Sequence, residues 1–142
     1  MVTVTRIFEF AYAHRLEGHK GKCCQLHGHN GILEVEVAPN TFGMLNSYHK
    51  QCKEDHGEPL ESAMVMDFGD LKKIVQENII EYLDHKCLND IFCFHPTAEN
   101  LCLWIVETLQ KHAVGMPNPI GRVMRVRLWE TRNSYAEWKR GD

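Results

Sequence analysis

Two segments near the start of the chain, residues 2–14 and 27–38, alternate apolar and polar side chains. A strand turns successive side chains to opposite faces, so this alternation predicts two long strands, each with one packed face and one wet face. A polar, glycine-containing loop separates them. The packed faces would carry Phe8, Phe10, Tyr12 and His14 from the first strand, and His27, His29, Leu33, Val35 and Val37 from the second. An antiparallel pair is therefore the predicted framework of the fold.

Two helices and two further strands follow in the sequence. Asp67 is the predicted N-cap of a helix that ends near residues 84–86, and Thr97 is the predicted N-cap of a second helix, with Glu99 in its first turn. Residues 123–131 and 134–139 read as strands. In the first of these, Met124, Val126, Leu128 and Glu130 would share a face. The order predicts an α+β fold in which two helices cover one face of an antiparallel sheet, and its open edges predict an oligomer.

Bulk properties narrow the range of function classes. A chain of 142 residues fits one domain, 1–142, with a long polar excursion at about 39–62. The net charge of −3 gives no electrostatic footprint for nucleic acid or an anionic membrane. The sequence has no recognisable secretion signal and no apolar run of membrane length, so we expect a cytoplasmic protein with reduced cysteines. The excursion carries His49, Cys52 and His56, whose loose spacing favours solvated residues over a second metal site.

The motif His27-Gly28-His29 is the strongest chemical signal in the chain. Two histidines separated by one residue project from the same face of a strand and can bind one metal ion together. Imidazole nitrogens suit zinc, and a zinc ion with three protein ligands keeps a fourth position open for catalysis. His14 is the best candidate for the third ligand, because an antiparallel neighbour that begins near His27 would bring the three rings together.

Three other features have both a functional and a structural interpretation. Cys23 lies beside Lys22 and near the predicted metal, which favours a reactive thiolate, but an ordinary loop cysteine explains it equally well. Asp84-His85 is either a proton-relay pair or a solvated pair at a helix end. Glu130 ends an apolar strand face, where its carboxylate either receives donors from a ligand or forms a salt bridge with a nearby arginine.

Taken together, these motifs resemble the 6-pyruvoyl-tetrahydropterin synthase and 6-carboxytetrahydropterin synthase family along nearly the whole chain. The ordered set is specific, although each motif alone is weak. It comprises residues 10–16 (FAYAHRL), 22–23 with 27–30 (KC and HGHN), 64–72 (MVMDFGDLK), 83–89 (LDHKCLN), 96–100 (PTAEN) and 130–131 (ET).

The resemblance implies a tunnelling fold, with a four-stranded antiparallel sheet backed by two helices, trimers that close a barrel, and two trimers stacked as a hexamer. It implies that three histidines bind zinc, that Cys23, Asp84 and His85 transfer protons, and that Glu130 grips the pterin ring. Thr97 and Glu99 would border the pterin pocket, which lies between subunits in this family. The implied zinc ligands are His14, His27 and His29.

The resemblance also implies the substrate, 7,8-dihydroneopterin triphosphate. Three residues separate Cys23 from His27, a short spacing that resembles bacterial 6-carboxytetrahydropterin synthase, which forms acetaldehyde and triphosphate on the route to queuosine and other deazapurines. The alternatives are the 6-pyruvoyl synthase of biopterin synthesis and a non-catalytic zinc- or pterin-binding oligomer. Cys24 doubles the thiol position, so either cysteine could be the base. No nicotinamide or flavin is expected, since the sequence has no Gly-x-Gly-x-x-Gly loop.

Overall fold

The computed structural model describes residues 1–39, 64–113 and 121–141. Strands β1 (Val4–His14) and β2 (His27–Ala38) are joined through a short 3₁₀ turn, Lys22–Cys24. Helix α1 (Phe68–Val75) continues through a π-helical stretch, Gln76–Ile80, into α2 (Glu81–Leu83). Strand β3 (Lys86–Cys87), α3 (Leu88–Ile91), α4 (Ala98–Ala113), β4 (Arg122–Thr131) and β5 (Ser134–Lys139) complete the order. The predicted excursion lies, apart from Pro39, outside the described residues, as do His49, Cys52 and His56.

The predicted antiparallel pairing of the first two strands is confirmed. The described strands form one sheet in the order β3-β1-β2-β4-β5, and β1 pairs with β2 from Val4 opposite Val37 to His14 opposite His27. This register places His14 beside the His27-Gly28-His29 motif at one end of the sheet. The register of the hairpin is thus what assembles the histidines, because it brings two distant parts of the sequence to adjacent strand ends.

Two details of the sheet differ from the prediction. The sheet has five strands rather than four, because Lys86 and Cys87 form a two-residue strand parallel to β1. In addition, Val123 rather than Met124 takes the packed position opposite Val37, since the register of β4 shifts by one residue between Glu36 and Val37. Neither feature has a sequence signature: two residues are too few to show an alternation, and a bulge breaks the period of two.

Both helix starts occur where the sequence predicts them. The Asp67 carboxylate accepts hydrogen bonds from the backbone N–H groups of Gly69 and Asp70, at 2.6 and 3.2 Å. The Thr97 hydroxyl accepts one from the N–H of Asn100 at 3.2 Å. No helix within residues 1–39, 64–113 and 121–141 is long and apolar enough to cross a membrane.

The helices cover the packed face of the sheet. The core joins aromatic and branched side chains of β1, β2 and β4 to the apolar stripes of α1 and α4, including Leu33, Val35, Leu71, Leu101, Ile105 and Leu128, all with no exposed surface. The opposite face carries charged residues that pair with each other: Arg125 donates to Glu36 and Arg127 to Glu137, each at 2.7 Å. Arg125 and Arg127 are therefore engaged on the face away from Glu130.

Candidate active site

Three imidazole rings meet at the end of the sheet. The potential ligand nitrogens of His14, His27 and His29 all lie within 4.8 Å of one another. The Nε2 atoms of His14 and His27 are 3.0 Å apart, and the His14 ring centroid is 5.1 Å from that of His29. His14 is fully buried, and His27 and His29 are partly buried. The structure thus brings together all three histidines that the sequence nominated as metal ligands.

Backbone carbonyls orient two of the rings. His14 Nδ1 lies 2.7 Å from the carbonyl oxygen of Pro96, and His27 Nδ1 lies 2.7 Å from that of Gln25. A carbonyl only accepts, so each Nδ1 carries a proton and donates, and in the neutral form of either ring Nε2 is then the acceptor. Two acceptors that face each other at 3.0 Å repel unless a cation or proton lies between them. Metal-bound histidines commonly show this arrangement, in which the second ring nitrogen donates to a carbonyl.

His29 supplies the third nitrogen in a form suited to a metal. Its Nε2 atom is buried and has no hydrogen-bond partner among the described residues. Burial lowers the pKa of His29, and the positive charge that His14 and His27 can carry lowers it further, against the opposing effect of the Glu130 carboxylate. A lowered pKa keeps the ring neutral, which is the form that binds metal. The orphaned nitrogen and the two oriented rings fit a zinc ion.

Glu130 lies next to the histidine cluster. Its Oε1 atom is 3.4 Å from Nε2 of His14 and 3.6 Å from Nε2 of His29, and its side chain is 28% exposed. The salt bridge to an arginine that the sequence left open is not present in the described part of the chain. The carboxylate instead lies beside the candidate metal ligands and is partly exposed, so a bound molecule can reach it.

Tyr12 completes the packed side of this cluster, and the sequence analysis assigned it no function. Its ring contacts His14 edge-on and His29 at a tilt, with centroid distances of 5.4 and 5.5 Å. Burial and the neighbouring Glu130 carboxylate raise the pKa of Tyr12, so the phenol stays protonated. The available signal was its position, two residues before His14 on the same strand face.

Asp84 and His85 form a pair beside β1. Asp84 Oδ2 is 3.0 Å from His85 Nδ1, and Asp84 Oδ1 accepts from the N–H of Ala11 at 2.9 Å. The N–H of His85 donates back to the Ala11 carbonyl at 2.7 Å. His85 adopts a φ of 58°, in the left-handed region, and its side chain is 81% exposed. One backbone hydrogen bond and one bond from the Ala11 N–H to the Asp84 carboxylate thus hold an unfavourable conformation that presents the imidazole outward.

The Asp84 contacts predict a pH dependence of stability. The hydrogen bond from the Ala11 N–H, together with His85, lowers the pKa of Asp84 below its ordinary value of 3.8. A lowered carboxyl pKa contributes stability above about pH 4 and loses it as the pH falls through the folded-state pKa. We expect Asp84→Asn to be less stable than wild type near pH 7 in chemical denaturation, with a difference that shrinks below pH 4. Asp90→Asn, at an exposed position, is the control. An Asp84→Asn deficit of constant size from pH 7 to pH 2 would rule out this linkage.

The two neighbouring cysteines differ in exposure. Cys23 and Cys24 end the 3₁₀ turn, where Cys23 is half-buried and Cys24 is exposed. The Cys23 carbonyl accepts from the N–H of Leu16 at 2.7 Å, which ties this turn to the residues just after β1. Within the described residues, no side-chain hydrogen bond or ion pair joins Cys23 to Asp84, His85 or the histidine cluster. One chain therefore brings the cluster and Glu130 together but leaves Cys23 and the Asp84–His85 pair as separate groups.

Thr97 and Glu99 lie at the start of α4. The Thr97 hydroxyl is engaged in the helix cap, and Glu99 is exposed in the first turn. Both follow Pro96, whose carbonyl orients His14, so this helix end is linked to the cluster. Glu99 can therefore contact a molecule that binds nearby, whereas the Thr97 hydroxyl is already used in the helix cap.

An open groove of about 390 Å³ lies where the ends of β1 and β2 meet β3 and the Asp84–His85 turn. Its β1 and β2 side chains come mainly from Ala11, Ala13, Gly28 and Asn30, which alternate with the positions of the three imidazoles, so the groove lies mainly on the opposite face of the sheet. Its lining consists of Ala11, Tyr12, Ala13, Gly28, His29, Asn30, His85, Lys86 and Cys87.

Comparison with known proteins gives a consistent picture. A family model described as 6-pyruvoyl tetrahydropterin synthase matches residues 3–141. The chain is 37% identical over 131 residues to a putative 6-carboxy-5,6,7,8-tetrahydropterin synthase of Archaeoglobus fulgidus, covering 92% of this chain and 90% of that protein. It is 31% identical over 160 aligned residues to the 6-carboxy-5,6,7,8-tetrahydropterin synthase of Haemophilus influenzae, covering 98% and 99%. The solved 6-pyruvoyl tetrahydropterin synthase of Caenorhabditis elegans matches with a TM-score of 0.70 at 26% identity, covering 99% of this chain and 96% of that chain.

Proposed function

This chain belongs to the 6-pyruvoyl tetrahydropterin synthase family, and from that premise we propose that it makes 6-carboxy-5,6,7,8-tetrahydropterin from 7,8-dihydroneopterin triphosphate and one molecule of water. The other products are acetaldehyde and triphosphate. The 6-carboxytetrahydropterin would be a precursor in the biosynthesis of queuosine or another deazapurine. The observation that carries the proposal is the cluster of three oriented imidazoles with Glu130 beside it. The names of the two prokaryotic relatives support the carboxy branch.

His14, His27 and His29 would hold a zinc ion. When bound, zinc would polarise oxygen atoms of the substrate side chain and so acidify the neighbouring C–H bonds. The protein's contribution is to orient His14 and His27 through the Pro96 and Gln25 carbonyls and to lower the pKa of His29 by burial.

The other site residues have separate tasks. Glu130 accepts hydrogen bonds from the N–H groups of the pterin ring and fixes its orientation, with Glu99 and Thr97 at the border of the same pocket. Cys23, as a thiolate, takes a proton from a side-chain carbon of the substrate. His85, turned outward and paired with Asp84, delivers or accepts a second proton. Cys23 and the Asp84–His85 pair need not belong to the same subunit.

Product analysis tests this proposal. We expect incubation with 7,8-dihydroneopterin triphosphate to release acetaldehyde and a 6-carboxypterin, detected by mass spectrometry and by trapping of the aldehyde. A 6-pyruvoyl product without acetaldehyde would instead establish the alternative 6-pyruvoyl synthase reaction, which is the reaction in the name of the nematode structure. Pterin binding without turnover would favour the non-catalytic alternative and contradict both enzymatic assignments.

We also propose that the protein assembles as a trimer or a dimer of trimers. Strand β3 covers β1 only at Tyr12 and Ala13, so the outer edge of β1 from Val4 onward has no partner strand among the described residues. Strand β5 forms the opposite edge, and Ile7 on β1 is 61% exposed. Two such edges can pair between copies and close a barrel. Light scattering should give a mass of three or six chains, and a monomer at micromolar concentration would contradict this assembly.

A further inference from the structure

Tyr12 is the buried polar side chain near the site for which the proposed mechanism has no use. It is 3% exposed, and its hydroxyl makes no hydrogen bond of ordinary length in the part of the chain that the structure describes, although the Glu130 carboxylate is near enough to raise the pKa of the phenol. A buried hydroxyl without a partner costs about 1–3 kcal/mol relative to a satisfied one. A hydroxyl that bears this cost beside a candidate active site is expected to gain a hydrogen-bond partner when a ligand binds, either from the ligand or from a side chain that reorients.

The sheet register directs the Tyr12 ring toward Glu130. On β2, Gly31 pairs with Phe10 of β1, and the pairing of Ile32 with Trp129 brings Gly31 beside Glu130 of β4. A Cβ atom on Gly31 would lie 3.0 Å from Cε1 of Tyr12 and 3.2 Å from Cζ of Phe10. Because Gly31 has no side chain, the Tyr12 ring can lie over β2, between β1 and Glu130 of β4.

His14 and His27, whose ring orientations are set by backbone carbonyls, do not supply Glu130 with a hydrogen-bond donor. The tautomers of His14 and His27 leave their Nε2 atoms as acceptors, and an acceptor 3.4 Å from a carboxylate oxygen does not stabilise its charge. Lysine and arginine side chains make no ion pair with Glu130 within the described ranges. The hydroxyl of Tyr12, whose ring lies over Gly31 beside Glu130, is the neighbouring group that can donate.

We propose that Tyr12 is a positioning residue for ligand recognition: in the pterin-bound site its hydroxyl donates a hydrogen bond to the Glu130 carboxylate and holds it in line with the pterin ring. This inference rests on the proposed function, since it gives Glu130 the task of binding the ring. The donated bond uses one acceptor position of the carboxylate and leaves the others for the N–H groups of the pterin.

Binding of neopterin, a fluorescent pterin without phosphates, tests the role of Tyr12 independently of turnover. Tyr12→Phe removes only the hydroxyl and keeps the ring packed on Phe10 and His14. We expect the Kd of neopterin to rise about tenfold, the loss typical of one hydrogen bond to a charged group. Zinc content and thermal midpoint should stay at the wild-type values or above. Tyr82→Phe, at a 53% exposed position, makes the same chemical change away from the site and should leave the Kd unchanged.

A double-mutant cycle with Glu130→Gln separates positioning from packing. Tyr12→Phe raises the Kd by some factor in each background. We expect this factor to be at least three times smaller in the Glu130→Gln background than in wild type, because the charged acceptor is gone. An equal effect in both backgrounds, or a wild-type Kd in Tyr12→Phe, would overturn the inference while leaving the proposed function intact. Failure of the wild-type protein to bind neopterin would overturn this inference, and only the absence of turnover with 7,8-dihydroneopterin triphosphate would remove the proposed function as well.

Discussion

Replacement of Cys23 by alanine is expected to lower kcat by at least about a hundredfold, the usual contribution of a positioned proton-transfer group. The physical reason is that no other described side chain in the Lys22–Cys24 turn except Cys24 can serve as a thiolate base. The variant should fold normally, because Cys23 is only half-buried and the turn is held by its backbone, through the Cys23 carbonyl and the N–H of Leu16. Steady-state kinetics with 7,8-dihydroneopterin triphosphate measure the loss.

Cys24→Ala is the matched control for this experiment. It removes the same thiol group from the adjacent position, which is exposed. We expect Cys24→Ala to keep activity within about twofold of wild type, and both variants to keep zinc and neopterin binding. Full activity in Cys23→Ala together with a large loss in Cys24→Ala would transfer the role of the base to Cys24. Full activity in both single variants would show that neither thiol alone is required.

Replacement of His27 by alanine is expected to abolish stable zinc binding and to lower kcat/KM by about a thousandfold or more, since the metal accounts for several kcal/mol of the transition-state stabilisation. His27 is the best of the three positions to change, because it is more exposed than His14 and its other ring nitrogen contacts only the nearby Gln25 carbonyl. Metal content by atomic emission and turnover should fall together. A chelator should lower the thermal midpoint of the wild-type protein but leave that of His27→Ala unchanged.

His112→Ala provides the control for the loss of an imidazole. His112 is in the last turn of α4, while the Pro96 carbonyl that orients His14 precedes the first turn, about 20 Å away along the helix. This variant should retain zinc and activity. Wild-type zinc content in His27→Ala would mean that the metal is bound elsewhere.

The clustering of the histidines could be predicted from the sequence because it depends on one pattern. Alternation in β1 and β2 put His14, His27 and His29 on packed faces, and an antiparallel hairpin leaves few registers that keep both apolar faces buried. The same reasoning placed Glu130 on this face. The caps at Asp67 and Thr97 were likewise predictable, because each is a local contact between a side chain and a nearby backbone N–H.

The sequence pattern could not predict contacts made through the backbone or local breaks in the regular alternation of a strand. The carbonyls of Pro96 and Gln25 orient two histidines, yet every residue has a carbonyl, so the sequence does not mark them. The parallel strand Lys86–Cys87 forms only because the turn at His85 brings it against β1. The role that we propose for Tyr12 was not predictable for a different reason: an aromatic residue in an apolar stripe is interpreted as core until its unsatisfied hydroxyl is seen in the structure.

The metal content of protein purified without chelator tests the central claim most directly, namely that three oriented imidazoles form a zinc centre. The account predicts about one zinc ion per chain, measured by atomic emission against protein concentration from amino-acid analysis. A value below about half an equivalent, in protein that still turns over 7,8-dihydroneopterin triphosphate and does not gain activity with added zinc, would contradict it.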